Sequence, residues 1–161
     1  MFKSPLDRLK EADRLPPGHY ARDAAQQRVN AEYNACHTQE NALVKLIHRD
    51  FRFLGKEQAC WLTWAVCDAL GFQPPKMLYF GSSEVHEYAA AHYNADTRSI
   101  YFKYMPPVSI RTLLHELSHH IHHLDYTSDR SAHGSYFCWI EQLCFKVAAD
   151  LVDAQGEPYC R

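Results

Sequence analysis

Hydrophobic positions in the first half of the chain recur at helical spacing. Residues 21–35 are rich in Ala, Gln and Arg, which favours a helix. Thr38 is a predicted N-cap for a second helix whose apolar positions include Leu43 and Ile47. The strongly apolar segment 56–70 predicts a third helix, with Gly71 as its C-cap.

The pattern changes after residue 76. A short apolar run at 77–80 predicts a strand. Aromatic-rich runs at 87–93 and 98–104 flank a turn at 94–97, which predicts a β-hairpin. In the second run Ile100, Phe102 and Tyr104 alternate with polar or amphipathic residues, as a strand with one buried face requires.

Two further helices follow the predicted hairpin. Ser109 is a predicted N-cap for a helix that runs to about Asp125, with apolar side chains at helical spacing. A last helix is predicted from about residue 134 to 152. The whole order predicts an α+β fold: N-terminal helices, a small antiparallel sheet with a hairpin, a helix carrying the candidate site, and a C-terminal helix. We expect an irregular leader at 1–20 and one domain at 21–161.

Composition narrows the class of protein. The chain has 161 residues, of which 47% are hydrophobic and 22% charged, enough for an ordinary core. The formal net charge of -2 gives no electrostatic footprint for nucleic acid. The start of the chain lacks the apolar run of a signal peptide, and no apolar stretch approaches the length of a membrane span. The six cysteines form no CxxC pair, so we expect free thiols in a cytoplasmic protein.

Histidine carries the clearest chemical signal. Six of the 11 histidines lie between His115 and His133, and the segment His115-Glu116-Leu117-Ser118-His119 has the pattern HExxH. On a helix His115 and His119 project from one face, so both imidazoles can bind one metal ion. Imidazole ligands suit zinc well, and we expect one zinc ion per chain.

Glu116 is the predicted general base. It lies about 100° round the helix from His115, where it can contact a water that the metal activates. Glu116 would take the proton of this water and deliver it to the leaving amine of a peptide bond. The predicted reaction is therefore peptide hydrolysis without a covalent intermediate.

A third protein ligand is required to leave one coordination position open. His133 is favoured because it arrives from a separate element at the start of the next helix. Asp125 has the spacing of a metzincin ligand, but His122 stands where metzincins have a turning glycine. His122 itself is one helical turn too far along, since a turn rises about 5.4 Å. Glu141 has the location of a gluzincin ligand.

The HExxH motif and the segment that follows it resemble one protein family. The segment 112–120 around HExxH, followed by His133-Gly134-Ser135-Tyr136-Phe137, resembles the SprT-like zinc metallopeptidases, in which HExxH precedes an HGxxF or HGxxW element. The resemblance covers about residues 77–151. It implies a zincin-like fold, peptidase activity on a protein or peptide substrate, and His133 as the third zinc ligand. The printed sequence has neither a zinc ribbon nor a basic DNA-binding segment, so the resemblance does not extend to repair of DNA–protein crosslinks.

Other residues are weaker candidates for supporting roles. Asp125 and Asp129 could orient a ligand imidazole through its free N–H, and Tyr126 or Tyr136 could stabilise the oxyanion on the scissile carbonyl. An extended substrate would lie along the free edge of the hairpin by strand addition. Two rival hypotheses are a repressor-cleaving protease of the ImmA/IrrE type and a zinc-stabilised binding module without catalysis. The sequence indicates neither a membrane partner nor an oligomeric state.

Overall fold

A computed structural model of the chain describes Arg14, residues 20–125 and residues 133–155. Of the predicted leader 1–20, only Arg14 and Tyr20 are described, and Tyr20 already belongs to the first helix instead of an irregular segment. Tyr126 and Asp129 fall outside the described residues. The described residues form four helices: α1 (Tyr20–Leu43), α2 (Lys56–Leu70), α3 (Ile110–Leu124) and α4 (Ser135–Gln155). They also form five short strands: β1 (Phe53–Leu54), β2 (Leu78–Tyr79), β3 (Ala91–Asn94), β4 (Ser99–Phe102) and β5 (Val108–Ser109). The α+β class predicted from the sequence is confirmed.

Helix α1 is one continuous helix, so the predicted start of a new helix at Thr38 is wrong. The Thr38 hydroxyl donates to the carbonyl of Asn34, one turn earlier, at 2.9 Å. A threonine can therefore satisfy its hydroxyl inside a helix, and its presence does not require a helix start. Two short 3-10 turns, Val44–Leu46 and Arg49–Phe51, follow α1.

Helix α2 has the bounds that its apolar run and flanking glycines predict. The Gln58 side chain accepts the backbone N–H of Gly55 at 2.8 Å, which closes the N-terminal end. Gly71 ends the helix with φ +79°, a left-handed conformation that glycine adopts without a Cβ clash. Leu62 and Val66 are fully buried on the inner face of α2.

The main sheet has three strands in the order β2-β4-β3. The predicted hairpin is confirmed: β3 and β4 are antiparallel, with His92 opposite Tyr101. The prediction of an antiparallel sheet is wrong in one respect, because β2 pairs with β4 in parallel. A long loop, residues 80–90, connects β2 to β3 in place of a tight turn. This loop lets the chain cross to the other edge of the sheet, so β2 can pair with β4 in parallel.

Strand β4 is central and its four residues are all buried. Its alternation therefore does not divide a buried face from an exposed one. Tyr101 points to the second face, where its ring stacks between Tyr79 (4.8 Å between centroids) and His92 (5.1 Å). Tyr104, expected on the buried face, lies beyond the end of β4 and is 66% exposed.

Helix α3 lies at the centre of the fold. The Ser109 side chain accepts the N–H of Thr112, as predicted for an N-cap. The helix packs against α4, β3 and α2. Its apolar stripe is buried almost completely and consists of Ile110, Leu113, Leu114, Leu117 and Ile121. This packing fixes the backbone that carries the HExxH pattern.

None of the helices in the described ranges has the length and apolarity needed to cross a membrane. Five cysteines lie in the same ranges, and all five are free. Cys36, Cys67 and Cys144 are buried, as expected of core thiols, whereas Cys60 is exposed and Cys138 is partly buried. The prediction of free thiols is therefore confirmed for these five.

Candidate metal centre

Three imidazoles converge on one point at the junction of α3 and α4. The Nε2 atoms of His115 and His119 are 3.1 Å apart, those of His119 and His133 are 3.1 Å apart, and those of His133 and His115 are 3.2 Å apart. An Nε2 carries either one hydrogen or one lone pair, so three of them cannot form a closed ring of hydrogen bonds. A metal ion at the common centre would instead accept one lone pair from each Nε2.

The spacing fits a zinc ion. With Zn–N bonds of roughly 2.0–2.1 Å and tetrahedral angles, ligand nitrogens lie about 3.3–3.4 Å apart, close to the spacing found here. Among the described residues, no other His, Cys, Asp or Glu atom joins this group. Three imidazoles without a fourth protein ligand are the donor set typical of a catalytic zinc site.

Local structure explains how each ring reaches the centre. His115 and His119 share one face of α3, with the Leu113, Leu114 and Leu117 side chains holding the other face in the core. His133 precedes α4 with φ +67°, a conformation that costs a non-glycine residue of the order of 1 kcal/mol or more. Its surroundings hold it there, because its ring packs edge-on against Tyr33.

Phe137 forms the floor beneath the three rings. Its side chain is fully buried, and its ring centroid lies 5.4 Å from His115, 4.5 Å from His119 and 5.1 Å from His133. Phe137 is the last residue of the HGxxF pattern, one turn of α4 beyond His133. The pattern therefore supplies both a ligand ring and the apolar surface that supports all three.

Glu116 lines the same cleft as the three histidines. Burial raises the pKa of its carboxyl to about 7, although the nearby His115 charge and the backbone N–H of Tyr93 oppose the shift. The backbone of Tyr93 lies beside this carboxyl, so Glu116 sits against strand β3. A carboxyl with a pKa near neutrality is suited to exchange a proton at neutral pH.

Two buried carboxylates lie behind His115, on the ring nitrogen that faces away from the centre. The Nδ1 atom of His115 is in contact with Glu40 Oε1 and lies 3.2 Å from Glu141 Oε2. Glu141, considered above as a metal ligand, therefore contacts the outer nitrogen of a ligand histidine instead. Arg111 donates from Nε to Glu40 at 2.9 Å, which brings a cation to this pair of acids.

The pKa values of the metal-free site follow from these contacts. Burial lowers the pKa of His115, but the bonds to Glu141 and Glu40 outweigh it and raise the pKa to about 10. Burial lowers the pKa of His119 well below its usual value. Burial and the neighbouring His115 charge lower the pKa of His133 to about 4. His119 and His133 thus present free lone pairs at neutral pH, as metal ligands must.

The cleft has a volume of about 520 Å3 and runs beside the free edge of β3. Its lining includes Tyr33, His92 and Tyr93. A smaller cavity of about 250 Å3 continues from it along residues 88–91, and the two share Tyr33, His115 and Glu116. The two cavities therefore meet at the face of α3 that carries His115 and Glu116.

Several predicted supporting residues lie elsewhere. Asp125 ends α3, where its backbone N–H donates to Ile121, and its carboxylate does not join the three-histidine group. His122 lines the cleft without joining that group either, as its position one turn along predicts. Tyr136 stacks on Trp139 (5.7 Å between centroids) and does not line the cleft. Asp129 and Tyr126 lie outside the described residues.

His120 shows what sequence reasoning missed on α3 itself. We expect a histidine beside the motif to be solvated, but His120 is 1% exposed. Its Nε2 is 2.8 Å from the Gln73 carbonyl, which can only accept, so Nε2 carries the hydrogen. Its Nδ1 therefore accepts the hydroxyl of Tyr93 at 3.0 Å. His120 thus fixes to α3 the strand residue whose backbone lies beside Glu116.

Comparisons with protein-family models, curated proteins and solved structures return no match for this chain. The resemblance to SprT-like metallopeptidases stays a prediction that rests on the HExxH and HGxxF patterns.

Proposed function

We propose that the protein is a metallopeptidase in which His115, His119 and His133 hold one zinc ion and Glu116 is the general base. The observation that carries the proposal is the convergence of three imidazole Nε2 atoms, each pair 3.1–3.2 Å apart, in one cleft with a buried carboxyl. The SprT-like pattern implies His133 as the third ligand, and the convergence of its Nε2 with those of His115 and His119 supports a SprT-like peptidase as the specific form of the proposal.

The chain's own residues account for the proton transfers. Zinc, when bound, makes water a stronger acid and polarises a carbonyl oxygen. Glu116 accepts the proton of the attacking water as the water oxygen bonds to the scissile carbonyl carbon. Glu116 then returns a proton to the amine nitrogen as the C–N bond breaks. A carboxyl whose pKa is about 7 can accept and return a proton with little loss in either direction.

The free edge of β3 supports binding of an extended peptide. The Lys103 amide donates to the Ala90 carbonyl, so Ala90 and His92 turn their backbone groups towards β4. The backbone N–H and C=O groups of the alternate residues Ala91 and Tyr93 therefore point away from β4, towards the groove. A peptide added as a strand at this edge would pass over the histidines, with affinity supplied by main-chain hydrogen bonds.

Tyr33 is the side chain we propose as the oxyanion donor, in place of Tyr126 and Tyr136. It lies on α1, lines both parts of the groove, and places its ring 5.3 Å from the His133 ring. A hydroxyl beside the metal can donate to the oxygen on which negative charge develops during the reaction.

The free thiols of the described cysteines favour a reducing compartment, in line with a cytoplasmic protein.

Metal analysis combined with a protease assay tests the proposal. We expect purified protein to contain about one zinc per chain and to digest casein in a chelator-sensitive manner. His133→Ala should lose or weaken zinc binding and abolish digestion. His48→Ala, an exposed histidine on a turn away from the cleft, is the matched control and should change neither. Wild-type protein that binds zinc without cleaving any of several unfolded substrates would contradict the peptidase assignment.

A further inference from the structure

Helix α1 presents one face to the metal centre. Tyr33, Cys36, His37 and Glu40 occur at spacings of three and four residues, which places them on a single stripe of the helix. Tyr33 contacts His133, and Cys36 Sγ lies 3.6 Å from Glu141 Oε1. The motif-bearing helices α3 and α4 therefore do not form the centre alone.

Glu40 is the member of this stripe that touches a proposed ligand directly. It is 2% exposed, and a charge so deeply buried requires partners. One oxygen contacts His115 Nδ1 and the other accepts from Arg111 Nε at 2.9 Å. Arg111 also donates to the Asn41 side chain at 2.6 Å and to the His37 carbonyl at 3.4 Å, so it anchors the end of α1 to the start of α3.

Glu141 competes for the same ring nitrogen but has different partners. Its Oε2 lies 3.2 Å from His115 Nδ1, and its Oε1 is approached by the Gln39 amide at 3.3 Å and the Cys36 thiol at 3.6 Å. These two donors are neutral, whereas the guanidinium of Arg111 contacts Glu40. Because the positive charge of Arg111 lies against Glu40, the negative charge of the Glu40–Glu141 pair resides on Glu40.

We propose that Glu40, held by Arg111, is a positioning residue that accepts the Nδ1–H of His115 and keeps the Nε2 lone pair aimed at the metal. The inference rests on the metal site of the proposed function, and it does not require the peptidase activity. An Nδ1–H bonded to a carboxylate excludes the tautomer with hydrogen on Nε2, in which His115 could not bind a metal. The negative charge also makes the ligand nitrogen a stronger donor.

Zinc affinity of the full chain tests this role. We expect Glu40→Gln to weaken zinc binding about 10–100-fold, measured by competition with a chromophoric chelator. Glu141→Gln should weaken it less, because the charge stays on Glu40. Glu57→Gln, an exposed glutamate in the first turn of α2, is the matched control and should leave the affinity unchanged. The visible spectrum of the Co2+-substituted protein should change in Glu40→Gln alone.

Two further measurements separate positioning from general destabilisation. The free energy of unfolding of each metal-free variant, from urea titration, shows whether Glu40→Gln damages the fold. A merely structural role would lower that free energy and leave the Co2+ spectrum as in wild type. If Glu40→Gln does not fold, Arg111→Lys keeps a cation but cannot contact Glu40, Asn41 and His37 together as the guanidinium does. It should weaken zinc binding while keeping the protein folded.

The outcomes discriminate between the two proposals. A zinc affinity for Glu40→Gln within about twofold of wild type, well below the loss expected for such a partner, overturns the positioning role. So does a greater loss in Glu141→Gln than in Glu40→Gln. Wild-type protein that binds zinc and digests nothing would contradict the peptidase proposal and leave the test of Glu40 intact. Wild-type protein that binds no zinc would overturn both.

Discussion

The two edges of the three-stranded sheet border cavities of nearly equal volume and very different lining. Beside β3 a cleft of about 520 Å3 contains the three converging histidines and Glu116. Beside β2 a groove of about 510 Å3 is lined mostly by apolar side chains such as Trp64 and Met77, together with Lys56 and Lys76, and by no histidine or carboxylate. Cavity size therefore does not locate the chemistry. What distinguishes the β3 edge is a set of partly buried imidazoles whose Nε2 atoms converge on one place.

The largest expected effect at the β3 edge is on catalysis. Glu116→Gln removes the base and keeps the shape of the side chain, so hydrolysis of casein should fall by a factor of about 100–10,000. Zinc content should stay at the wild-type value, because Glu116 is not among the three ligands. A wild-type rate in the Glu116→Gln variant would show that another group takes the proton.

Removing Phe137 should have the largest effect on stability. Phe137→Ala leaves a cavity beneath the three imidazoles, and it should lower the free energy of unfolding by about 3–5 kcal/mol and weaken zinc binding. Trp64→Ala at the β2 edge is the comparison, since Trp64 is 57% exposed and should cost far less. Urea titration of both variants makes the measurement. Equal losses in the free energy of unfolding would mean that the two edges contribute equally to stability.

A pair of tyrosines of similar exposure sharpens the contrast between the edges. Tyr33 at the cleft is 46% exposed and Tyr79 at the groove is 42% exposed. Tyr33→Phe should lower kcat about 10–100-fold with little change in KM, because the hydroxyl acts on the charge that develops during reaction. Tyr79→Phe should leave both constants unchanged. A loss confined to KM in Tyr33→Phe would assign Tyr33 to substrate binding.

The smallest expected effect concerns the pH dependence of the metal-free protein. The pKa of His115 is raised to about 10 from a usual value of 6.5, so its charged form stabilises the fold fully below pH 6.5. This contribution is lost as the pH rises towards 10. With a chelator present, the Tm should therefore fall as the pH rises from about 6.5 to about 10. Saturating zinc should flatten the dependence, because the metal replaces the proton. A Tm that rises over this interval would contradict the contacts at His115.

Local signals predicted the parts of the fold that local interactions determine. The helix at 56–70 ends at a glycine in the left-handed conformation, and the hairpin forms around a turn in which Asn94 Oδ1 accepts the amides of Asp96 and Thr97. Likewise His115 and His119 needed only helical geometry to be placed together. Each of these predictions depends on residues a few positions apart.

Apart from Thr38 and Tyr104, the missed features depend on contacts between distant parts of the chain. The parallel partner of β2 is set by tertiary packing, for which the strand itself carries no signal. Glu40 lies 75 positions before His115, and an isolated glutamate in a polar helix gives no reason to expect burial. The stripe of Tyr33, Cys36, His37 and Glu40 is the one sequence feature that could have indicated an inward face on α1.

The place of α1 limits how the chain can be shortened. A fragment that begins at residue 77, where the family resemblance begins, would carry both histidine motifs and omit α1 and α2. It would expose the apolar side chains of α3 and α4 that α2 covers, and it would leave His115 Nδ1 without Glu40. Expression trials that aim for a minimal metal-binding unit should therefore keep the chain from residue 20 onward.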